Sequence, residues 1–346
     1  MKNRIPLLLA ASLASTLAAP LMLAAQTPSP AFQPVPELPY RLQPDFFELP
    51  NGLNFGEASA VAVNKEGHIF LFERIRPMLL EYDANGKFLR SLGEGLFTTP
   101  HGLRIDVEGN IWTTDVGSHI VLKLSPQGGV LMVLGRKDNS AEADWLFNRP
   151  ADIAFDRDGN IYIADGYGNS RVLKFDKNGR YLKSWGTYGD APGQFELPHA
   201  IVIDNQGNVY VGDRENQRIQ IFDTEGNFKK AWTGIGYPYG LVLTPEQHIL
   251  MADGGYDRIV ELDSNGKIIG ALGEAGHAPG QFAWAHSLAV GPEGKLYVAD
   301  TLNWRFQVFV PTQPSGRMAS YVPTVRLFND SRPSTGWVPR HTSPQK

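Results

Sequence analysis

Between Leu197 and Arg218 the chain reads LPHAIVIDNQGNVYVGDRENQR. Ile201 and Ile203 alternate with their neighbours at the period of a strand, Asn205, Gln206 and Gly207 form a turn, and Val209, Tyr210 and Val211 return as a second strand. A hairpin brings its open ends together. His199 at the entry and Asp213-Arg214 at the exit therefore lie at the same end of the sheet.

The same pattern recurs from Val61, Leu103, Ile153, Ile201, Leu241 and Leu288, at a spacing of roughly 40–50 residues. Each complete unit predicts four short strands with turn signals between them, and no unit has helical periodicity. The last unit stops after its third strand, near Val310, while Tyr40–Leu49 reads as a strand with no unit of its own. These features predict an all-β, six-bladed β-propeller over residues 40–311, its ring closed by the N-terminal strand, which removes a free sheet edge.

The repeat separates scaffold from site. Glu73, Asp115, Asp165, Asp213, Asp253 and Asp300 end the second strand of successive units, and Arg171, Arg218, Arg258 and Arg305 follow at nearly constant offset. Such recurrence predicts carboxylate–guanidinium pairs that tie loops together. Gly193-Gln194-Phe195 and Gly280-Gln281-Phe282 read as connectors between blades.

Eight positions before each turn position the residues are Ser59, His101, Ala151, His199, Tyr239 and His286. Histidine thus falls in alternate blades, which predicts a triangle of imidazoles at one depth around the channel. Three neutral imidazoles with a fourth position open are the ligand set of a catalytic zinc, and carboxylates and thiolates are missing from that register. His68, His119, His248 and His277 lie outside it and read as surface residues. Arg214 follows the acidic residue of blade four and Arg74 that of blade one. Those blades face each other, so both guanidiniums can grip a substrate carboxylate. Tyr167 occupies the corresponding loop of blade three.

Composition adds the setting. Apolar residues make up 42% of the 346 and charged residues 20%, the net charge is -4, and removing Lys2 and Arg4 with a leader leaves -6. This balance excludes a basic face for nucleic acid. Residues 1–25 have the pattern of a signal peptide, residues 26–39 read as a Pro-rich linker and residues 312–346 as a flexible tail. The chain has no cysteine, hence no disulfide, thiolate metal site or lipid-modified leader cysteine. The expectation is a periplasmic or secreted monomer, free of the membrane once the leader is cut.

PHGLRIDVEGNIWTTDV, ADGYGNSR from Ala164 to Arg171, ELPHAI and GDRENQRIQIF together resemble the peptidyl-α-hydroxyglycine α-amidating lyases, within the wider NHL-repeat propellers, over Val61 to Val310. The resemblance implies a carbon–nitrogen lyase of peptide amidation, which splits a peptide ending in α-hydroxyglycine into a peptide amide and glyoxylate. It implies His101, His199 and His286 as zinc ligands, Tyr167 as base, Arg214 as an active-site partner and Arg74 as the blade-one arginine, although Arg76 lies only two residues on. Ser287 stands where animal members carry an aspartate linked to structural calcium, which leaves calcium a weaker expectation than zinc. Gly168 replaces a disulfide cysteine, Trp284 replaces a smaller residue near the site, and the chain carries no copper monooxygenase domain. Two other classes compete. A non-catalytic NHL propeller binding a protein or glycan leaves the histidine triangle unexplained, and a metal-dependent lactonase or esterase propeller needs Asp, Glu and Asn along the channel.

Overall fold

The structure, a computed structural model, describes residues 34–312 apart from Pro77. The predicted signal peptide, the first part of the predicted linker and all but the first residue of the predicted tail lie outside the described residues. Among the described residues there are 24 strands and no helix, arranged as six four-stranded antiparallel sheets. Five blades are built from consecutive strands, and the sixth takes its outer strand from the N-terminus: Tyr40–Gln43 pairs with Arg305–Pro311, Tyr40 opposite Pro311 and Gln43 opposite Val308. This strand is shorter than the Tyr40–Leu49 stretch that reads as extended. Pro44 has no N–H for the ladder and Asp45 turns to a positive φ of 51°. Phe46 and Phe47 then pack edge-on against Tyr297 and Tyr82. Part of the predicted linker is also engaged: Val35 and Leu38 are buried, and Leu38 N–H donates to Ala271 O at 2.8 Å beside the outer strand of blade five.

The apolar alternation becomes six wedges of core, one between each pair of neighbouring blades. Phe195 and Phe282 of the two Gly-Gln-Phe connectors are fully buried in these wedges. Burial of each stabilises by about 2–3 kcal/mol.

The recurrent acids are the latches of the ring. Asp213 binds Arg218 at 2.7 Å and accepts the Glu196 N–H at 2.7 Å, joining a hairpin loop to the connector entering its blade. Asp165, Asp253 and Asp300 pair likewise with Arg171, Arg258 and Arg305 and accept Asn148, Tyr237 and Ala283 N–H groups. Asp115 and Glu73 lack an arginine and still hold Thr98, Thr99 and Gly56 N–H groups. All these carboxylates are buried and spent on the scaffold.

Candidate metal centre

The innermost strands of blades one, two, four, five and six are Ala58–Val63, Pro100–Ile105, Pro198–Ile203, Pro238–Leu243 and Ala285–Val290. Each carries a β-bulge, and the unpaired residue is Ser59, His101 (with Gly102), His199, Tyr239 or His286. A bulge frees a residue from the pleat and re-aims its side chain. Two residues ahead of His199 and His286 the backbone is left-handed, at Leu197 (φ 67°) and Trp284 (φ 69°), a conformation that costs non-glycine residues and turns the chain toward the channel.

The three imidazoles converge, with ring centroids 4.7, 4.8 and 5.1 Å apart and one nitrogen from each within 4.8 Å of the others. Their other nitrogens face backbone carbonyls. His101 Nδ1–H donates to Ala151 O (2.7 Å), His199 Nδ1–H to Tyr239 O (2.6 Å) and His286 Nδ1–H to Ser59 O (2.7 Å). The acceptors are the same register positions of the three odd blades. Each even blade gives a histidine and its odd neighbour fixes that histidine's tautomer, which leaves the Nε2 lone pairs pointing inward.

The described residues satisfy this cluster only in part. His286 Nε2 is buried without a hydrogen-bond partner. Tyr167 Oη lies 3.0 Å from His101 Nε2 and 2.9 Å from His199 Nε2, and its single proton can serve only one of them. A buried set of acceptors short of donors suits a cation. Protons do not supply the charge: burial, with Arg74 and Arg214 nearby, pushes His101 down to about 3, and burial and neighbouring charges hold His199 and His286 well below the ordinary range. The three buried histidines, neutral at pH 7, can form a metal site, and the residues present fit one.

Tyr167 reaches the cluster because Gly166, just before it, passes over the start of blade four's inner strand, where a Cβ would collide with the Pro198 carbonyl. Arg214 Nη1–H donates to Tyr167 Oη at 3.2 Å, and the guanidinium lies 4.7 Å from the Tyr239 ring centroid. Its Nε and Nη2 are both 2.7 Å from Glu215 Oε1, so the edge expected to grip a carboxylate is occupied. Burial opposes the charge on Arg214, but Tyr167, Tyr239 and Glu215 outweigh it and raise its pKa. Arg74 is less engaged: Nε donates to Pro100 O at 3.3 Å and Nη1 is 3.7 Å from Glu57. Its charge bears on His101 and His286, whereas Arg76 is exposed and turns to Asn54 O. Trp284 stands edge-on to both His286 and Tyr239 at 5.8 Å.

Of the other histidines, His68 and His248 are partly covered, each 2.8 Å from a glutamate, Glu81 or Glu261; His119 Nδ1 accepts the Arg149 N–H, and exposed His277 meets Asn303. None joins the cluster. Sequence reasoning missed Glu215, Tyr239 and the carbonyls of Ser59, Ala151 and Tyr239. It also missed Arg104 and Asp152, which share with the three histidines and Ser287 the lining of a cavity of about 20 Å³, room for one water-sized group. Calcium does not fit this layer. Asp152 is the one carboxylate in the lining and is already paired with Arg104.

Fold and site together define a β-propeller with a buried three-histidine centre on its axis. An NHL repeat model matches residues 147–175 and 195–222, in blades three and four. Human NHL repeat-containing protein 3 is 31% identical over 269 residues, 72% of this chain and 75% of that protein. The chain belongs to the NHL-repeat family. Within it, the chain is a homologue of the amidating lyases. Xenopus laevis peptidyl-glycine alpha-amidating monooxygenase B is 32% identical over 311 residues, 73% of this chain, and Drosophila melanogaster peptidyl-alpha-hydroxyglycine alpha-amidating lyase 1 is 30% identical over 220 residues, 53% of this chain. The chain spans about a third of the Xenopus protein (34%) and 40% of the Drosophila one. Among solved structures a streptogramin B lyase shares the fold, with a TM-score of 0.58 at 15% identity, over 81% of this chain and 98% of that one. Relatives named as lyases support a lyase-type enzyme.

Proposed function

We propose that this chain is a zinc-dependent carbon–nitrogen lyase that converts a peptidyl-α-hydroxyglycine into a peptide amide and glyoxylate. The observation that carries this reading is Tyr167 Oη, held within hydrogen-bond distance of two ligand histidines and the Arg214 guanidinium. Three neutral imidazoles with room beside them suit zinc, which supplies Lewis-acid chemistry by polarising a substrate oxygen. The substrate is a carbinolamide, R–CO–NH–CH(OH)–COO⁻. Tyr167, starting as the phenolate, takes the hydroxyl proton, with the Arg214 N–H donating to Oη. The C–N bond breaks as the carbon becomes the aldehyde of glyoxylate, and the departing nitrogen recovers a proton from the Tyr167 hydroxyl, so none is consumed. Arg74, with donors to spare, anchors the substrate carboxylate, while Arg214 is held by Glu215 to face Tyr167. Cleavage of residues 1–25 delivers the protein to the periplasm or the medium, where the N-terminus of the exported chain reads out the cut; an exported chain that still begins at Met1 removes this part of the reading.

The test is to incubate the purified protein with a hydroxyglycine-terminated model peptide and measure glyoxylate alongside bound metal. One zinc per chain and stoichiometric glyoxylate and amide are expected. A folded protein with neither is a non-catalytic NHL propeller. A protein that opens lactones and leaves the peptide intact belongs with the lactonases, a reading that the cavity beside the histidines does not favour, since Asp152 is the one carboxylate lining it.

A further inference from the structure

The residue three places after each register position is Ala62, Arg104, Ala154, Val202, Val242 or Ala289, and the residue one place after is Ala60, Gly102, Asp152, Ala200, Gly240 or Ser287. In two rings of small or apolar side chains, Arg104 and Asp152 are the charged members, and they meet. Arg104 Nη2 donates to Asp152 Oδ2 and, at 3.4 Å, to Leu241 O, while Nε donates to Ile153 O at 3.2 Å. Asp152, buried, also accepts the Ile201 N–H at 3.1 Å. One ion pair thus links the inner strands of blades two, three, four and five, and its reach to Leu241 crosses the axis between opposite blades.

We propose that Arg104 is a resident axial cation of the propeller: paired with Asp152, its guanidinium braces the histidine cluster and takes the place that a divalent ion in this layer would need. The bonded residues sit beside those that aim the ligands. Asp152 follows Ala151, whose carbonyl fixes His101; Leu241 is two residues past Tyr239, whose carbonyl fixes His199; Ile201 is two past His199 itself. A divalent ion entering here would have to take Asp152 from the guanidinium, with only the neutral hydroxyls of Ser287 and Tyr239 as other side-chain oxygens among the lining residues. Arg104 and Asp152 are therefore positioning residues, which act on the metal centre through the backbone.

The experiment uses the full chain and the variants Arg104→Met, Asp152→Asn and the double. Breaking a buried pair from one side strands a charge, whereas removing both charges strands none. Each single variant is expected to lower Tm by roughly 5–10 °C, and the double to lose less than the sum. Zinc affinity, measured by chelator competition, should fall about 10–100-fold in Arg104→Met with all three ligands intact. Wild-type Tm should not respond to millimolar calcium, and no calcium should copurify. Additive Tm losses, unchanged zinc affinity in a folded Arg104→Met protein, or one equivalent of bound calcium in the wild type would each overturn the proposal. If Arg104→Met does not fold, Arg104→Lys replaces it, since it keeps the charge and loses the fork; wild-type Tm and zinc affinity in that variant overturn the proposal equally. The zinc arm rests on the metal-centre reading and the Tm arm does not, so a wild type that takes up no zinc removes the proposed function and leaves the brace to be judged on stability.

Discussion

Replacing Tyr167 by Phe removes one oxygen and little else. The ring keeps its edge contacts with His101 and His199, at centroid distances of 5.0 and 5.4 Å, and Arg214 keeps its place because Glu215 holds its Nε and Nη2 at 2.7 Å. What goes is an acceptor for the Arg214 N–H and a donor to one histidine, a net stability cost of about 1 kcal/mol. The metal ligands and their carbonyl partners are untouched, so zinc content should stay at one per chain. If Oη is the base, kcat for glyoxylate release should fall roughly 100-fold or more, equivalent to about 2.7 kcal/mol of transition-state stabilisation, with a far smaller change in KM. The assay is glyoxylate formation from a hydroxyglycine-terminated peptide at matched zinc loading, with thermal unfolding as the control. A folded, zinc-loaded Tyr167→Phe protein of wild-type kcat refutes the assignment. It would leave Tyr167 a packing residue over a metal centre whose base lies elsewhere.

Three further outcomes follow from the same geometry. His199→Ala should leave the blades folded by circular dichroism and abolish equimolar zinc binding; full zinc occupancy in it would dissolve the three-ligand reading. Glu215→Gln should lower kcat roughly tenfold, about the worth of one oriented hydrogen bond, and Glu215→Asp should recover part of it; equal losses in all variants, tracking Tm, would mean that Glu215 merely supports the loop. For the metal-free protein, the folded pKa of His101, about 3, lies below its ordinary 6.5, so the unfolded chain binds more protons between those values. Stability should therefore be complete above about pH 6.5 and decline as pH falls toward 3, by on the order of 2 kcal/mol at pH 5 from this histidine, and an apoprotein equally stable at pH 7 and 5 by urea titration contradicts it.

The blade count, the ring closure and the cluster of three histidines were legible in the sequence because a repeat exposes what departs from it. His101, His199 and His286 stand out against Ser59, Ala151 and Tyr239 without any knowledge of distance. The bulges were not legible, since a bulge is a mismatch between paired strands and neither strand shows it alone. The tautomer-fixing carbonyls belong to the backbone, which every residue has. Glu215 was hidden for a different reason: its role depends on which edge of Arg214 it occupies, a matter of rotamers. Arg104 and Asp152 could have been found, as single charges in otherwise uncharged registers, had the comparison of blades been carried past the histidine position.

In the odd blades the register residue acts through its carbonyl, but the side chains differ: Ser59 Oγ donates to the Pro100 and His101 carbonyls and Ala151 is fully buried, whereas Tyr239 is only partly buried. The ring divides its labour: the register side chains of the even blades converge on the proposed metal centre, and of the odd-blade ones Tyr239 is the one left partly open. Tyr239 already uses this freedom, lying against Arg214 and Trp284. Diversity introduced at position 239 should then change which substrates are accepted while the protein remains metal-loaded, giving a propeller whose selectivity can be redrawn at one position of the ring.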